Sequence, residues 1–287
     1  MKISVVIPTY NEQDGIEECI QSIFRNTFLP HEIIICDGMS DDNTKQIAEN
    51  LDVTVLENKK RIASAGRNLG IEHASGDIIA FTDGDCIADK NWLLEFNKAF
   101  KDDEELIGIG GKVIPASPRN DIEEFWGNIS LRVIMSFPDE AYFIKTRTLN
   151  DAFITANCAY RKEALQNVGG FDDWFGNNAE DVDLSWRLLK SGTKLRYIPE
   201  SVIFARSPTT MKAVMKKSFR NGVSSSKLEK RHSGKYFTFD KTIHILLWKN
   251  IFQMLLFKNG ARRNLMQLSA HLWGKIIGSI RCGIINI

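Results

Sequence analysis

Short, β-branched runs that stop at a proline or a carboxylate recur through the first third of this sequence. They constrain the fold more than any other feature. Ile3–Ile7 is closed by Pro8, Glu32–Cys36 (Glu-Ile-Ile-Ile-Cys) by Asp37-Gly38, and Asp77–Thr82 (Asp-Ile-Ile-Ala-Phe-Thr) by Asp83-Gly84-Asp85. Continuous apolar runs of this length read as strands buried on both faces. Helical patterns lie between them. Glu12 to Arg25 carries Ile16, Ile20, Ile23 and Phe24 on one face. Ser40-Asp41-Asp42-Asn43 offers helix caps. Val53 to Leu56 is a further strand, and Ser64 to Ala74 a helix closed by Gly76. Strands alternating with helices predict an α/β fold, a mostly parallel sheet with helices on both faces. In such sheets ligands bind beyond the carboxyl ends of the strands. Asp37 and the Asp83/Asp85 pair fall at such ends, so one crevice is expected to hold them.

The pattern loosens after residue 106. Ile107–Ile114 reads as a strand, Ile122–Met135 as a helix, and Glu180–Ser191 as a helix stopped by Gly192. From Pro208 on the composition changes. Met211–Phe219 and Ile243–Phe257 read as amphipathic helices carrying Lys and Arg, separated by a polar stretch, Ser224–Lys241. The division expected is a catalytic domain over 1–205 and a basic helical C-terminal extension over 206–287.

Charge follows that division. The whole chain has a net charge of +1, but from Arg206 on there are sixteen Lys/Arg against two Asp/Glu, a balance of +14. The preceding 205 residues carry 21 basic and 34 acidic groups. An acidic body with a basic tail implies an anionic partner for the tail. The five cysteines (Cys19, Cys36, Cys86, Cys158, Cys282) form no CxxC pair, which excludes a disulfide scaffold or a structural zinc site and fits a reducing compartment. Met1–Pro8 does not read as a signal peptide, and no window reaches the roughly 18 apolar residues of a membrane span. The expected location is the cytoplasm.

Four constellations can carry chemistry. Asp83-Gly84-Asp85 sets two carboxylates beside each other, suited to a hard divalent cation, although D-x-D alone is also a common surface turn. Asp37 is either a helix cap or an acceptor for a bound base or ribose. Arg67, in Ala-Gly-Arg-Asn-Leu-Gly, is either a phosphate ligand or part of a solvated helix face. Glu180-Asp181-Val182-Asp183 opens a helix with three acids. They either complement its dipole or supply a general base, and Asp183 can pair with Arg187 one turn on. Gly108, Gly110 and Gly111 lack the spacing of a dinucleotide fingerprint, and no P-loop or nucleophile elbow is present. The five histidines form no ligand-spaced cluster.

The order of the motifs is more specific than any one of them. Val5-Val6-Ile7-Pro8-Thr9-Tyr10-Asn11-Glu12 is followed by Asp37-Gly38-Met39-Ser40-Asp41-Asp42, then Gly66-Arg67-Asn68-Leu69-Gly70. Asp83-Gly84-Asp85, Gly169-Gly170-Phe171-Asp172 and Glu180-Asp181-Val182-Asp183-Leu184-Ser185-Trp186-Arg187 complete the series. Over residues 2–205 it resembles the family 2 glycosyltransferases with a GT-A fold.

That resemblance implies an inverting enzyme moving a sugar from a UDP, GDP or dTDP donor to a hydroxyl acceptor. Pro8, Thr9, Tyr10, Glu12 and Asp37 match the nucleotide pocket, Arg67 a position near ribose and phosphates, and Asp83 and Asp85 the motif that holds Mg2+ or Mn2+ on the diphosphate. Asp181 matches the catalytic base, with Glu180 beside it. Asn157, Gly170, Asp172 and Trp186 fall where donor-sugar and acceptor contacts are made. Many relatives carry a His that completes the metal shell where this chain has Ala205 followed by Arg206, so water or Arg206 would have to take its place. The resemblance also implies a glycan or lipid-linked acceptor and a place at the inner face of the cell membrane, where the basic tail would meet anionic lipid; the tail otherwise holds a partner or second subunit, or packs on the acidic body. No nucleic-acid module is recognisable. A nucleotidyltransferase is the weaker enzyme reading, since Pro8–Glu12 has no glycine for its phosphate loop. A sugar-nucleotide-binding protein without turnover is the non-enzymatic one.

Overall fold

The computed structural model describes residues 1–130, 137–147, 152–233, 237–238, 261–283 and 285–286. They group into two compact units, 1–117 with 127–206, and 118–126 with 207–287.

The first unit opens with β1 (Ile3–Thr9), α1 (Ile16–Phe24), β2 (Glu32–Asp37), α2 (Thr44–Glu49), β3 (Thr54–Glu57), α3 (Ala63–His73) and β4 (Ile78–Phe81). It continues through β5 (Cys86–Ala88), α4 (Trp92–Asp102), β6 (Leu106–Pro115) and β7 (Tyr142–Phe143); α5 (Asp121–Ile129), between the last two, lies mostly in the second unit. β8 (Cys158–Arg161), α6 (Lys162–Asn167), α7 (Glu180–Lys190) and β9 (Lys194–Ala205) follow. The strands form one sheet in the order β3-β2-β1-β4-β8-β6-β9-β5, with β7 paired to β9. β3, β2, β1 and β4 run parallel, as the alternation predicts. β8 enters antiparallel between β4 and β6, and β5 closes the edge antiparallel to β9.

Each central strand has two buried faces. Ile3, Val5 and Ile7 pack with Ile33, Ile35, Ile78 and Ala80 against α1 (Ile16, Ile20, Ile23) and α4 (Trp92, Leu93, Phe96). Val6, Ile34, Cys36, Ile79 and Phe81 point the other way, into a second core with Ile71 of α3, Leu165 of α6 and Leu184 and Leu188 of α7. The period-2 alternation of side chains thus fills two cores from the same strands. The glycines of β6 belong to this packing. A Cβ on Gly108 or Gly110 would lie 2.5 or 2.3 Å from the ring of Tyr160 or Phe153. One on Gly111 would lie 2.4 Å from both the Ser201 carbonyl and Asn157 Nδ2.

In the second unit α8 (Met211–Leu228) starts at Thr210, whose Oγ1 accepts the Ala213 N–H at 3.3 Å. A π-helical turn (Glu229–Ser233) follows, then β10 (Phe237–Thr238), α9 (Ala261–Cys282) and β11 (Ile285–Asn286). α8 is twice the expected length. The Ser224–Leu228 part of the polar stretch is helical because Ser224 and Ser226 are small enough to be buried on α9, where Ser226 Oγ donates to the Lys275 carbonyl at 3.0 Å. The expected helix over Ile243–Phe257 and the end of Ile122–Met135 lie outside the described residues. Among the described residues no helix is long and apolar enough to cross a membrane.

Gly111→Ala is expected to destabilise the protein by about 1–3 kcal/mol, because a backbone carbonyl blocks the methyl and cannot rotate away. Urea unfolding should show a lower midpoint at unchanged slope.

Candidate active site

The carboxyl ends of β1, β2 and β4 open on one edge of the sheet, and α7 brings its N-terminus to the same place. Thr9, the last residue of β1, donates its Oγ1 to Asp37 Oδ1 at 3.3 Å. Asp37 is 1% exposed and also accepts the Ser40 N–H at 2.9 Å and its hydroxyl at 2.6 Å. It is therefore the anchor of a turn and not a helix cap. Asp42 has the helix-end role instead, accepting the N–H and hydroxyl of Thr44 at the start of α2. The loops after β1 and β2 are stitched together: Asn11 N–H donates to Ser40 Oγ, Asp41 N–H to Asn11 Oδ1, and Glu12 N–H to Thr44 Oγ1. Pro8 stays within β1 and is half-buried. Tyr10 is exposed, with its hydroxyl on Asp41 and the Arg61 guanidinium 6.0 Å from its ring centre.

Asn11, Met39, Arg61 and Ala179 all have left-handed backbones (φ of 57°, 58°, 56° and 68°). Strain of this kind concentrates where loops are held for function. All four sit in loops on this edge, after β1, after β2, before α3 and before α7.

The Asp83-Gly84-Asp85 loop folds down on β1: a Cβ on Gly84 would come 3.2 Å from both Thr9 and Glu12 side chains. Asp83, Asp85 and Cys86 bring ligand atoms within 4.8 Å of one another. Burial, together with Asp85 and Asp83, pushes the Cys86 thiol well up. It stays protonated, which leaves two carboxylates of the oxygen type that hard dications prefer. These residues fit such an ion. Ala205 pairs with Cys86 across the β5–β9 ladder, and the Arg206 N–H donates to the Asp85 carbonyl at 3.3 Å. Position 205 thus lies beside the D-x-D loop but offers only a methyl. The Arg206 guanidinium pairs with Glu18 Oε2 at 2.5 Å.

Arg67, expected on the phosphates, is 3% exposed inside the protein. It donates to Glu180 Oε1 at 2.6 Å and Asp83 Oδ1 at 2.9 Å, and lies 5.7 Å from the ring centre of Phe171. Its Nε and Glu180 Oε2 are buried without hydrogen-bond partners. The acids of α7 then divide. Glu180 faces Arg67. Asp181 Oδ1 accepts the Val182 N–H at 2.8 Å, and the Thr155 N–H also stabilises its carboxylate. Asp183, wholly buried, pairs with Arg187 Nε at 2.7 Å, and Arg187 donates onward to the Val168 and Gly170 carbonyls. The expected Asp183–Arg187 pair is therefore a brace between α7 and the Gly169-Gly170 turn. Burial, with Asp181 close by, pushes the Glu180 carboxyl up to about 7 against the pull of Arg67. Burial raises the Asp181 carboxyl too.

Gly170 needs its left-handed φ of 66°, and a Cβ there would meet Asn68 Oδ1 at 2.4 Å. Asn68 grips the next residue from both sides, Nδ2 on the Phe171 carbonyl and Oδ1 on its N–H, each at 2.8 Å. Asp172 Oδ1 accepts the N–H of Trp174, which is 42% exposed. Trp186 is half-buried on α7.

Asn157 does not have the sugar-contact place that the resemblance implies. It is wholly buried: its Nδ2 donates to the Lys112 and Ser201 carbonyls and its Oδ1 accepts Trp92 Nε1 at 2.8 Å. Its amide ties β6, β9 and α4 together. The sequence reading placed Ser40 among the helix caps, whereas its N–H and hydroxyl close the Asp37 turn. It missed Thr155, which acts through its backbone and leaves no side-chain signal.

The sequence matches the model of Glycosyl transferase family 2 over residues 4–169, more than half of the chain. The chain belongs to that family and is a glycosyltransferase. Glycosyltransferase AglE of Haloferax volcanii is 29% identical over 229 residues, 77% of this chain and 71% of that protein. The O-antigen chain rhamnosyltransferase RfbN of Salmonella typhimurium is 25% identical over 231 residues, 78% of this chain and 72% of its own. Against the pre-mycofactocin glycosyltransferase of Mycobacterium tuberculosis, 25% identical, the match spans about half (48%) of that protein's length. Among solved structures, the mannosyltransferase PcManGT from Pyrobaculum calidifontis in complex with GDP-Man and Mn2+ superposes with a TM-score of 0.60 at 18% identity, covering 98% of this chain and 73% of that one. The fold is GT-A.

The raised carboxyls of α7 fix the sign of one pH effect. A carboxyl raised in the folded state contributes stability that is present below its unfolded value near 4.5 and lost as pH rises to about 7. Between those limits the wild type should lose stability relative to Glu180→Gln, read as the difference in urea midpoints across the pH series.

Proposed function

We propose that this protein transfers a sugar from a nucleoside-diphosphate donor of UDP, GDP or dTDP type to a hydroxyl of a glycan or lipid-linked acceptor, with inversion at the anomeric carbon. The observation that carries the reading is the link from Asp83 through Arg67 to Glu180, which joins the D-x-D loop to the acid-bearing end of α7. In this reading residues 1–205 are the catalytic domain and 206–287 the basic extension.

Thr9, Glu12 and Asp37, at the ends of β1 and β2, face the nucleoside, with Pro8 and Tyr10 on the same wall. Asp83 and Asp85 would hold Mg2+ or Mn2+, which when bound supplies positive charge to the departing diphosphate. Asp181 takes the proton from the acceptor hydroxyl. That oxygen bonds to the anomeric carbon on the face opposite the diphosphate, whose bond to the same carbon breaks. One base suffices for inversion, since no covalent sugar–enzyme intermediate forms. A carboxylate raised by burial is a stronger base towards an alcohol than a solvated one. Gly170, Asp172 and Trp186 belong to the acceptor side of this reading.

The relatives support a glycan or lipid-linked acceptor: one is an O-antigen chain rhamnosyltransferase, and another a glucosyl-dolichyl phosphate glucuronosyltransferase from Haloferax volcanii. The +14 tail, with Trp273 61% exposed on α9, suits the anionic cytoplasmic surface of a membrane, where each cation near the surface contributes about 1 kcal/mol. This reading includes no nucleic-acid partner.

A thermal-shift panel of nucleotide-sugars, each with and without Mn2+, identifies the donor by the stability that binding adds; no shift with any of them ends the reading. Asp181→Asn should lower transfer at least about a hundredfold while calorimetric affinity for the donor persists. Full turnover in that variant would remove the base. Asp85→Ala should weaken nucleotide binding in Mn2+ and leave binding in EDTA unchanged.

A further inference from the structure

We propose that Arg67 and Glu180 are positioning residues, a buried clasp that sets the D-x-D loop and the base-bearing end of α7 at a fixed separation, and that Arg67 does not bind the donor diphosphate. The inference rests on the glycosyl-transfer reading above.

A guanidinium can grip two carboxylates at once because its donors form a rigid fork. Arg67 uses both arms that way, on Asp83 and on Glu180, and its side chain is 4% exposed. Phe171 lies against it. A phosphate could reach it only by displacing Asp83 or Glu180, and Glu180 is desolvated together with the guanidinium, where breaking one half of a buried pair is costly.

The clasp is needed because of what it holds. Residues 168–179 form no strand and no helix, and they include left-handed Gly169, Gly170, Gly176 and Ala179. No sheet ladder fixes this segment; Arg187 of α7 holds its start, and α3 holds the rest. The Ser64 N–H donates to the Gly176 carbonyl, the Ala63 N–H to Asn177 Oδ1 at 2.6 Å, and Asn68 grips Phe171. Arg67 adds the last attachment, at the first residue of α7, next to Asp181. The same side chain reaches back to Asp83, two residues before Asp85. Donor side and acceptor side are therefore referred to one helix through one side chain. A misplacement of about 1 Å at a reacting group can cost about a hundredfold in rate.

The test compares wild type, Arg67→Lys, Glu180→Gln and the double variant, with UDP-glucose, GDP-mannose and dTDP-rhamnose in Mn2+ and release of nucleoside diphosphate as the readout. Lys keeps the charge but has no fork. Each single variant is expected to lose about ten- to a hundredfold in kcat with the donor KM within threefold of wild type. The double variant should lose no more than the worse single, as for two parts of one unit. A donor KM that rises more than kcat falls in Arg67→Lys would make Arg67 a phosphate ligand and overturn the proposal, and so would losses that multiply in the double variant. A wild type that consumes none of the three donors counts against the reading and not against the clasp, which hydrogen exchange tests without turnover. Arg67→Lys should speed exchange of the amides of 171–183 and leave those of α1 and α4 unchanged. Exchange unchanged throughout would overturn the clasp.

Discussion

Both faces of the central strands are covered, and that leaves these strands their ends as the place for polar side chains. Ile3, Val5, Val6 and Ile7 have no exposed surface, and neither do Ile35, Ile78 and Ile79 of the neighbouring strands. Polar side chains cannot occupy such positions unpaired without a large desolvation cost. They gather where the strands stop, and because β1, β2 and β4 run parallel they stop at the same edge. Thr9, Asp37 and Asp83 are consequences of that geometry. Their proximity arises from strand direction, although 74 residues of sequence separate the first from the last.

Bringing acids together creates a second constraint. Carboxylates crowded into a low-dielectric edge repel one another and lose hydration. The structure answers with cations placed from below: Arg67 between Asp83 and Glu180, and Arg187 on Asp183. Asp181 is held by backbone N–H groups, and burial raises its carboxyl against their pull, as it raises that of Glu180 against the pull of Arg67. The burial that stabilises the fold is then also what raises the carboxyls of Glu180 and Asp181, in the first turn of α7.

Much of this was legible in the residues. The strands β1, β2, β4 and β6 announce themselves as β-branched runs, and α1 by its apolar spacing. β8 was harder, because Cys158–Arg161 is four residues of mixed character whose partners lie far away in sequence. Asn157 shows the limit from the other direction. An amide in a motif-rich stretch reads as a surface contact, yet it is spent inside the protein on Trp92, Lys112 and Ser201. Ser224 and Ser226 misled in the same way: polarity suggested a break between two helices, while small size allowed α8 to sit against α9. In each case the type of residue was known and its partners were not.

The sequence by itself determined the element alternation, the acids at the strand ends and the family, because all three are written in local spacing and motif order. Only the tertiary structure decided that Arg67 is a buried tie between two acids, that the Arg206 side chain pairs with Glu18, and that Asp183 braces α7 through Arg187. The reason is that charge acts through space. Which of several nearby carboxylates a guanidinium meets depends on distances of a few ångströms between elements more than a hundred residues apart, and local spacing carries no record of them.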